Sequence, residues 1–119
     1  MNPPLSINHV NVPARDPDAL ARWYVETLGF HRNGPFLSSG GSLLVFVQGT
    51  PIPSGTFHLG CRAPTRAALD GWIEALRKKG VEVAAAEGDE AYAHTRILDP
   101  EGNELELFHE PLPEDGRLP

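Results

Sequence analysis

The feature that most constrains this chain is a pattern written twice, 49 positions apart. At that offset His9 falls on His58, Asp16 on Thr65, Leu20 on Leu69 and Trp23 on Trp72. Trp occurs only twice in the 119 residues, and both copies fall in register. An internal duplication fixes architecture before any single element is considered. Each half reads as a strand, a helix and about three strands. The expected fold class is therefore α+β, two βαβββ modules in pseudo-twofold repeat forming a curved mixed sheet with a cleft.

The boundaries follow from local signals. A strand is expected at Leu5–Val12, with Asp16 as N-cap and Pro17 in the first helical position. The helix runs to about Leu28 and stops at Gly29. Short strands are expected near Phe30–Arg32 and Phe36–Ser38, and a longer one at Ser42–Gln48. The turn-rich stretch 49–55 is a linker. Module two, about 56–109, opens with a strand at Thr56–Arg62 and a Thr65 N-cap. Its helix runs through about Lys79 to Gly80, and strands follow at Val81–Glu87, Tyr92–Leu98 and Glu104–His109. Module one covers about 5–48, and both belong to a single domain spanning 1–119. The tail 110–119, rich in proline, reads as loose. In the helices Leu20, Trp23, Tyr24 and Leu28, and again Leu69, Trp72, Ile73 and Leu76, recur at the spacing of a core-facing stripe.

Composition narrows the function. The net charge is −6 with scattered basic residues, which disfavours nucleic acid and anionic membrane as partners. No apolar run approaches the ~20 residues a membrane-spanning helix needs. The opening MNPPLSINHV lacks the basic start and apolar stretch of a secretion signal. Cys61 is the only cysteine, so no internal disulfide forms, and a reducing, cytoplasmic location is expected. A small molecule is the expected partner.

Alternation along strands assigns faces. Val10 and Val12 face the helix while Ile7, His9 and Asn11 point away. Phe57, Leu59 and Cys61 alternate with His58, and Leu105 and Leu107 alternate with Glu104, Glu106 and Phe108. His9, His58 and Glu106 thus all lie opposite the helix-packed face. A strand histidine seen singly is ordinarily a structural residue, and an outward Glu is ordinarily solvated. Repetition of the histidine in both modules shifts the balance to a metal site of His9, His58 and Glu106. Imidazole and carboxylate suit zinc, iron, manganese, cobalt or nickel. By the same alternation Tyr92, His94 and Arg96 face the cleft. Arg96 is a candidate for an anionic substrate group and Tyr92 or His94 for proton transfer. Asn11 is a candidate for orienting a substrate oxygen, and Leu44 with Phe46 for an apolar wall. No residue is singled out as the acid or base. His31 and His109 are bystanders, and motifs of phosphate-loop or activated-serine chemistry are absent.

Ile7-Asn-His-Val-Asn-Val12, Phe57-His-Leu59 and Asp99-Pro-Glu-Gly-Asn-Glu-Leu-Glu-Leu-Phe108 together resemble the vicinal-oxygen-chelate superfamily. Its members include glyoxalase I, type I extradiol dioxygenases, fosfomycin-resistance thiol transferases, methylmalonyl-CoA epimerase and bleomycin-resistance proteins. The resemblance spans about residues 5 to 110. It implies that Glu106 is the carboxylate ligand and that His9 and His58 are the histidine ligands of a divalent ion. It also implies a homodimer. In glyoxalase I a fourth ligand, a Glu, comes from the last strand of the other module. Aligning Gly41 with Gly102 puts Val45 there, and Leu44 or Phe46 on a one-residue slip. None of these binds a metal, which leaves a His-His-Glu set with open positions for a small oxygenated substrate. That set favours dioxygenase-like or lyase-like chemistry over a glyoxalase-type isomerase. The alternative class is a metal-free drug-binding protein of the bleomycin-resistance type.

Overall fold

The structure is a computed structural model that describes residues 2–111. The expected loose tail lies almost wholly outside the described residues. The elements are β1 (Val10–Ala14), α1 (Pro17–Leu28), β2 (His31–Asn33), β3 (Phe36–Ser39) and β4 (Ser42–Gln48), then β5 (His58–Arg62), α2 (Arg66–Lys78), β6 (Glu87–Gly88), β7 (Ala93–Leu98) and β8 (Glu104–His109). They form two four-stranded mixed sheets of the same topology, ordered β1-β4-β3-β2 and β5-β8-β7-β6. The chain divides into two compact units, Met1–Pro53 with Pro100–Gly102, and Ser54–Asp99 with Asn103–Pro119. Each unit is one βαβββ module, as the duplication predicts.

In the first unit Asp16 caps α1, its carboxylate accepting from the Ala19 N–H at 3.1 Å. Gly29, at φ 75°, closes the helix in the left-handed conformation that glycine adopts at least cost. The helix buries Leu20, Tyr24 and Leu28. The Tyr24 ring lies 4.9 Å from Phe46 and 5.4 Å from Phe30, centroid to centroid. β1 pairs parallel with β4, placing Val12 opposite Phe46, and both are buried under α1. Each such apolar side chain contributes roughly 1.5–3 kcal/mol. The Glu101 carboxylate, from the turn after β7, accepts from the backbone N–H groups of Arg15 and Asp16 at 2.7 and 2.8 Å.

The second unit repeats the plan. Thr65 caps α2 through the Ala68 N–H at 3.0 Å, and Leu69, Ile73 and Leu76 are buried against the sheet. Trp72, expected in that stripe, is 40% exposed. The other three residues of that stripe, Leu69, Ile73 and Leu76, are buried as expected. β5 pairs parallel with β8, and β7 antiparallel with β8. Ala93, Thr95, Ile97, Leu105 and Leu107 form the buried face.

Several strand boundaries differ from expectation. β1 begins at Val10, not Leu5, and residues 2–9 are exposed. Pro3 and Pro4 have no N–H to offer a ladder, and pairing with β4 starts only at Leu44. β5 likewise starts at His58 rather than Thr56. The strand expected at Val81–Glu87 shrinks to the two residues of β6. The Thr95 hydroxyl donates to the Ala84 carbonyl at 2.9 Å, and Arg77 Nε donates to the Val83 carbonyl at 3.2 Å. Side chains thus satisfy carbonyls that a ladder would otherwise take, along an alanine run with low strand preference.

Candidate functional site

In the second unit the face away from α2 carries the charged groups. Pairing sets His58 opposite Glu104, Gly60 opposite Glu106 and Arg62 opposite Phe108 across β5 and β8. On the other side of β8, Arg96 is opposite Glu106, Leu98 opposite Glu104 and His94 opposite Phe108. His58 and Glu106 therefore share one sheet face on adjacent strands, one alternation step apart. His58 is exposed, and the Glu106 and Glu104 side chains are 28% and 27% exposed.

Gly60 is the residue directly beside Glu106 on β5. A Cβ added there would come within 3.3 Å of Phe108 Cε1. The absent side chain at Gly60 thus leaves room for the edge of the Phe108 ring on this face. Arg62, next on this face, is spoken for: its Nε and Nη2 donate to the Glu110 carbonyl at 3.1 and 2.7 Å.

Arg96 does not stand free for an anionic ligand. Its Nη1 donates to Glu104 Oε1 at 3.0 Å, and its Nη2 lies 4.0 Å from Glu106 Oε2. The cation leans diagonally toward Glu104 although Glu106 is its direct cross-strand partner. One arginine between two carboxylates leaves this trio with a formal charge of −1.

Asp99 anchors the strand that carries both carboxylates. It is buried, and its two oxygens accept from the backbone N–H and side-chain amide of Asn103, each at 2.9 Å. Together with Gly102 at φ 86°, this closes the turn and starts β8 at Glu104.

In the first unit the corresponding face is uncharged around β4. β1 and β4 pair Asn11 with Val45, and β3 pairs Phe36 with Val45. At the repeat offset Asn11 answers to Gly60, and in the ladder Val45 pairs with Asn11 as Glu106 pairs with Gly60. His9 sits one residue before β1, exposed, with its Nδ1 3.1 Å from Asn8 Oδ1 and its ring edge-on to Phe36 at 6.0 Å. Leu44 and Phe46 lie on the other face, buried beneath α1. The apolar wall expected of them is corrected on that ground. Val45 and Phe36, paired across β4 and β3, have the orientation expected of Leu44 and Phe46.

Tyr92 precedes β7 and is 60% exposed. Its backbone is fixed by Asp89, whose Oδ1 accepts from the Ala91 and Tyr92 N–H groups, each at 2.9 Å. Those two bonds, that of Tyr92 the stronger influence, hold the Asp89 carboxyl below its ordinary value of 3.8. A depressed carboxylate stabilises the fold at pH above its unfolded pKa and loses that contribution as pH falls through its folded one. Amide exchange of Ala91 and Tyr92 is thus expected to be pH-independent in structural protection above 3.8 and to rise only below it. In Asp89→Ala the same amides should exchange fast at every pH, and equal protection in both proteins would contradict the assignment.

Cys61 takes the opposite parity to His58 on β5. Burial pushes its thiol up, so it is a weak nucleophile and a poor ligand at neutral pH. Among the described residues no three His, Cys, Asp or Glu side chains stand together as a formed metal cage. His58 and Glu106 share a face and offer the nitrogen and oxygen donors that a borderline divalent ion takes, while His9 lies in the first unit. By chemical type those donors suit such an ion. Sequence alternation had placed Glu104 on this face without assigning it a role, and had not singled out Gly60 or Phe36. Following the 49-residue offset from Asn11 would have drawn notice to Gly60.

Two copies of one βαβββ module, each a mixed four-stranded sheet with a single helix, define the class of protein. A family model described as the Glyoxalase/Bleomycin resistance protein/Dioxygenase superfamily matches residues 6–107, and the chain belongs to that superfamily. Solved structures agree in fold. A lactoylglutathione lyase from Agrobacterium tumefaciens matches at 20% identity and TM-score 0.71, covering 91% of this chain and 96% of its own. TnmS3, an antibiotic binding protein from a Streptomyces species, matches at 22% identity and TM-score 0.72, covering 93% and 100%. The oxidase ChaP-H1 matches at 22% identity and TM-score 0.65, covering 91% and 98%. No curated protein matches the chain significantly. The superfamily holds both enzymes and binding proteins, and its members commonly use divalent metals. No helix among the described residues is long and apolar enough to cross a membrane.

Proposed function

We propose that this chain is a divalent-metal-dependent enzyme acting on a small oxygenated substrate, with His9, His58 and Glu106 as the metal ligands. The observation that carries this reading is the shared face of His58 and Glu106 on adjacent strands, within a superfamily whose members commonly use metals. Two neutral imidazoles and one carboxylate leave a divalent ion with a net charge of about +1, enough to act as a Lewis acid toward a substrate chelated through two oxygens. Iron, manganese, zinc, nickel and cobalt all accept that donor set. Val45 stands where a second carboxylate would be needed for glyoxalase-type isomerisation, so the reading leans to dioxygenase-like or lyase-like chemistry. Asn11 is proposed to orient a substrate oxygen, and Tyr92 to border the substrate. The protein is proposed to work as a cytoplasmic homodimer of a single-domain chain.

A second reading is supported by Arg96, which already gives Glu106 a cationic neighbour without any metal. On that reading the chain binds a small molecule and needs no ion, and the printed description of TnmS3 as an antibiotic binding protein accords with it. Elemental analysis of the purified chain, before and after reconstitution, separates the two. About one ion per chain supports the enzyme, and the element found directs the assays: iron to catechol-like substrates under oxygen, the others to lyase, isomerase and thiol-transfer reactions. No uptake of any of the five metals leaves the binding protein.

A further inference from the structure

We infer that Glu104 is a positioning residue that governs metal affinity by holding the Arg96 guanidinium off Glu106. The inference rests on the proposed metal site. Arg96 stands directly across from Glu106 in the β7–β8 ladder, so a simple cross-strand ion pair would join those two. The guanidinium instead donates to the diagonal residue Glu104 at 3.0 Å and leaves Glu106 at 4.0 Å. A charge-assisted hydrogen bond at the shorter distance outcompetes the longer contact for the orientation of the side chain. Glu104 is itself held in place from both sides, by its strand pairing to His58 and Leu98 and by the Asp99–Asn103 turn immediately before it.

A cation this close to a ligand carboxylate competes with any metal for that carboxylate. Without Glu104 the guanidinium has one anionic partner left on this face within its present reach, and that partner is Glu106. Bidentate closure on Glu106 would then have to be broken before an ion could use the carboxylate. Groups that orient a metal ligand from outside the coordination sphere typically change affinity by about 10–100-fold.

The test is cobalt(II) titration of the full chain by calorimetry, in a double-mutant cycle of Glu104→Gln and Arg96→Gln. Glu104→Gln is nearly isosteric, and both side chains are partly exposed, so the fold is expected to hold; the thermal midpoint checks it. Glu104→Gln alone should weaken cobalt binding by about tenfold, at the lower end of that range. In the Arg96→Gln background the same change should cost little, because there is no guanidinium left to redirect. Equal loss in both backgrounds would overturn the inference, since Glu104 would then act only as a distant negative charge. No loss in either background would also overturn it while leaving the metal site standing. Failure of the unsubstituted chain to bind cobalt would remove the metal reading, and this inference with it.

Discussion

Glu106→Ala is expected to carry no metal after purification and to take up none on reconstitution at micromolar free ion. The carboxylate is the only charged donor of the proposed set, and alanine leaves two imidazoles to hold the ion. Loss of an outer group costs about 10–100-fold, so loss of the ligand itself should exceed about 100-fold, or roughly 2.7 kcal/mol. The fold should survive, because the Glu106 side chain is 28% exposed and, among the described residues, its ionic partner is Arg96 at 4.0 Å. A surface pair of that kind contributes about 0–1 kcal/mol, so the thermal midpoint of the metal-free protein should barely move. Metal loss with stability retained distinguishes a ligand from a structural residue. His58→Ala should behave the same way, since His58 is exposed and packs into no core. Undiminished metal content in either variant would remove that residue from the site. The control is Phe46→Ala: Phe46 is buried against Tyr24, so this variant should lose about 3–5 kcal/mol of stability.

The parts of this fold that could be read in advance are those governed by one-residue rules. Asp16 and Thr65 mark helix starts because their side chains satisfy N–H groups three residues on, whatever the rest of the chain does. β7 alternates without a break from Ala93 to Leu98, so its faces follow from counting. The same counting placed Glu106 opposite Leu105 and Leu107. Strand ends were not legible, because they depend on a partner. β1 starts at Val10 where pairing to β4 begins, and nothing in Leu5-Ser-Ile-Asn-His9 announces that. β6 is short because Thr95 and Arg77, side chains on neighbouring elements, take the carbonyls of Ala84 and Val83. Phe46 was assigned to the wrong face because an unbroken apolar run, Leu43-Leu-Val-Phe-Val47, shows no alternation of type. Only its pairing with Val12 and its contact with Tyr24 assign it to the helix side. The bond from Arg96 to Glu104 rather than Glu106 is a diagonal choice between two carboxylates of equal type. Alternation makes both available and cannot rank them.

Asp99→Ala should be the most damaging single change outside the hydrophobic core. The carboxylate is 4% exposed and accepts two hydrogen bonds from Asn103, so alanine leaves a buried amide and a buried N–H unpaired. Each hydrogen bond to a charged group is worth about 1.5–3 kcal/mol, and the loss of the pair should cost roughly 3 kcal/mol, since water enters part of the gap. For a chain of this size that is a fall of roughly 10–15 °C in Tm. Asp99→Asn keeps the shape, and amide rotation keeps one acceptor, so it should cost about half as much. The damage should also reach the site. The Asp99–Asn103 bonds set where β8 begins, and a slip of one residue would send Glu104 and Glu106 to the buried face and Leu105 to solvent. Cobalt affinity in Asp99→Ala should therefore fall together with Tm, whereas in Glu106→Ala it falls alone. If Asp99→Ala melted like the unsubstituted chain, the turn would be set by Pro100 and Gly102 without help from the carboxylate. The position of β8, and with it the shared face of His58 and Glu106, would then rest on backbone geometry.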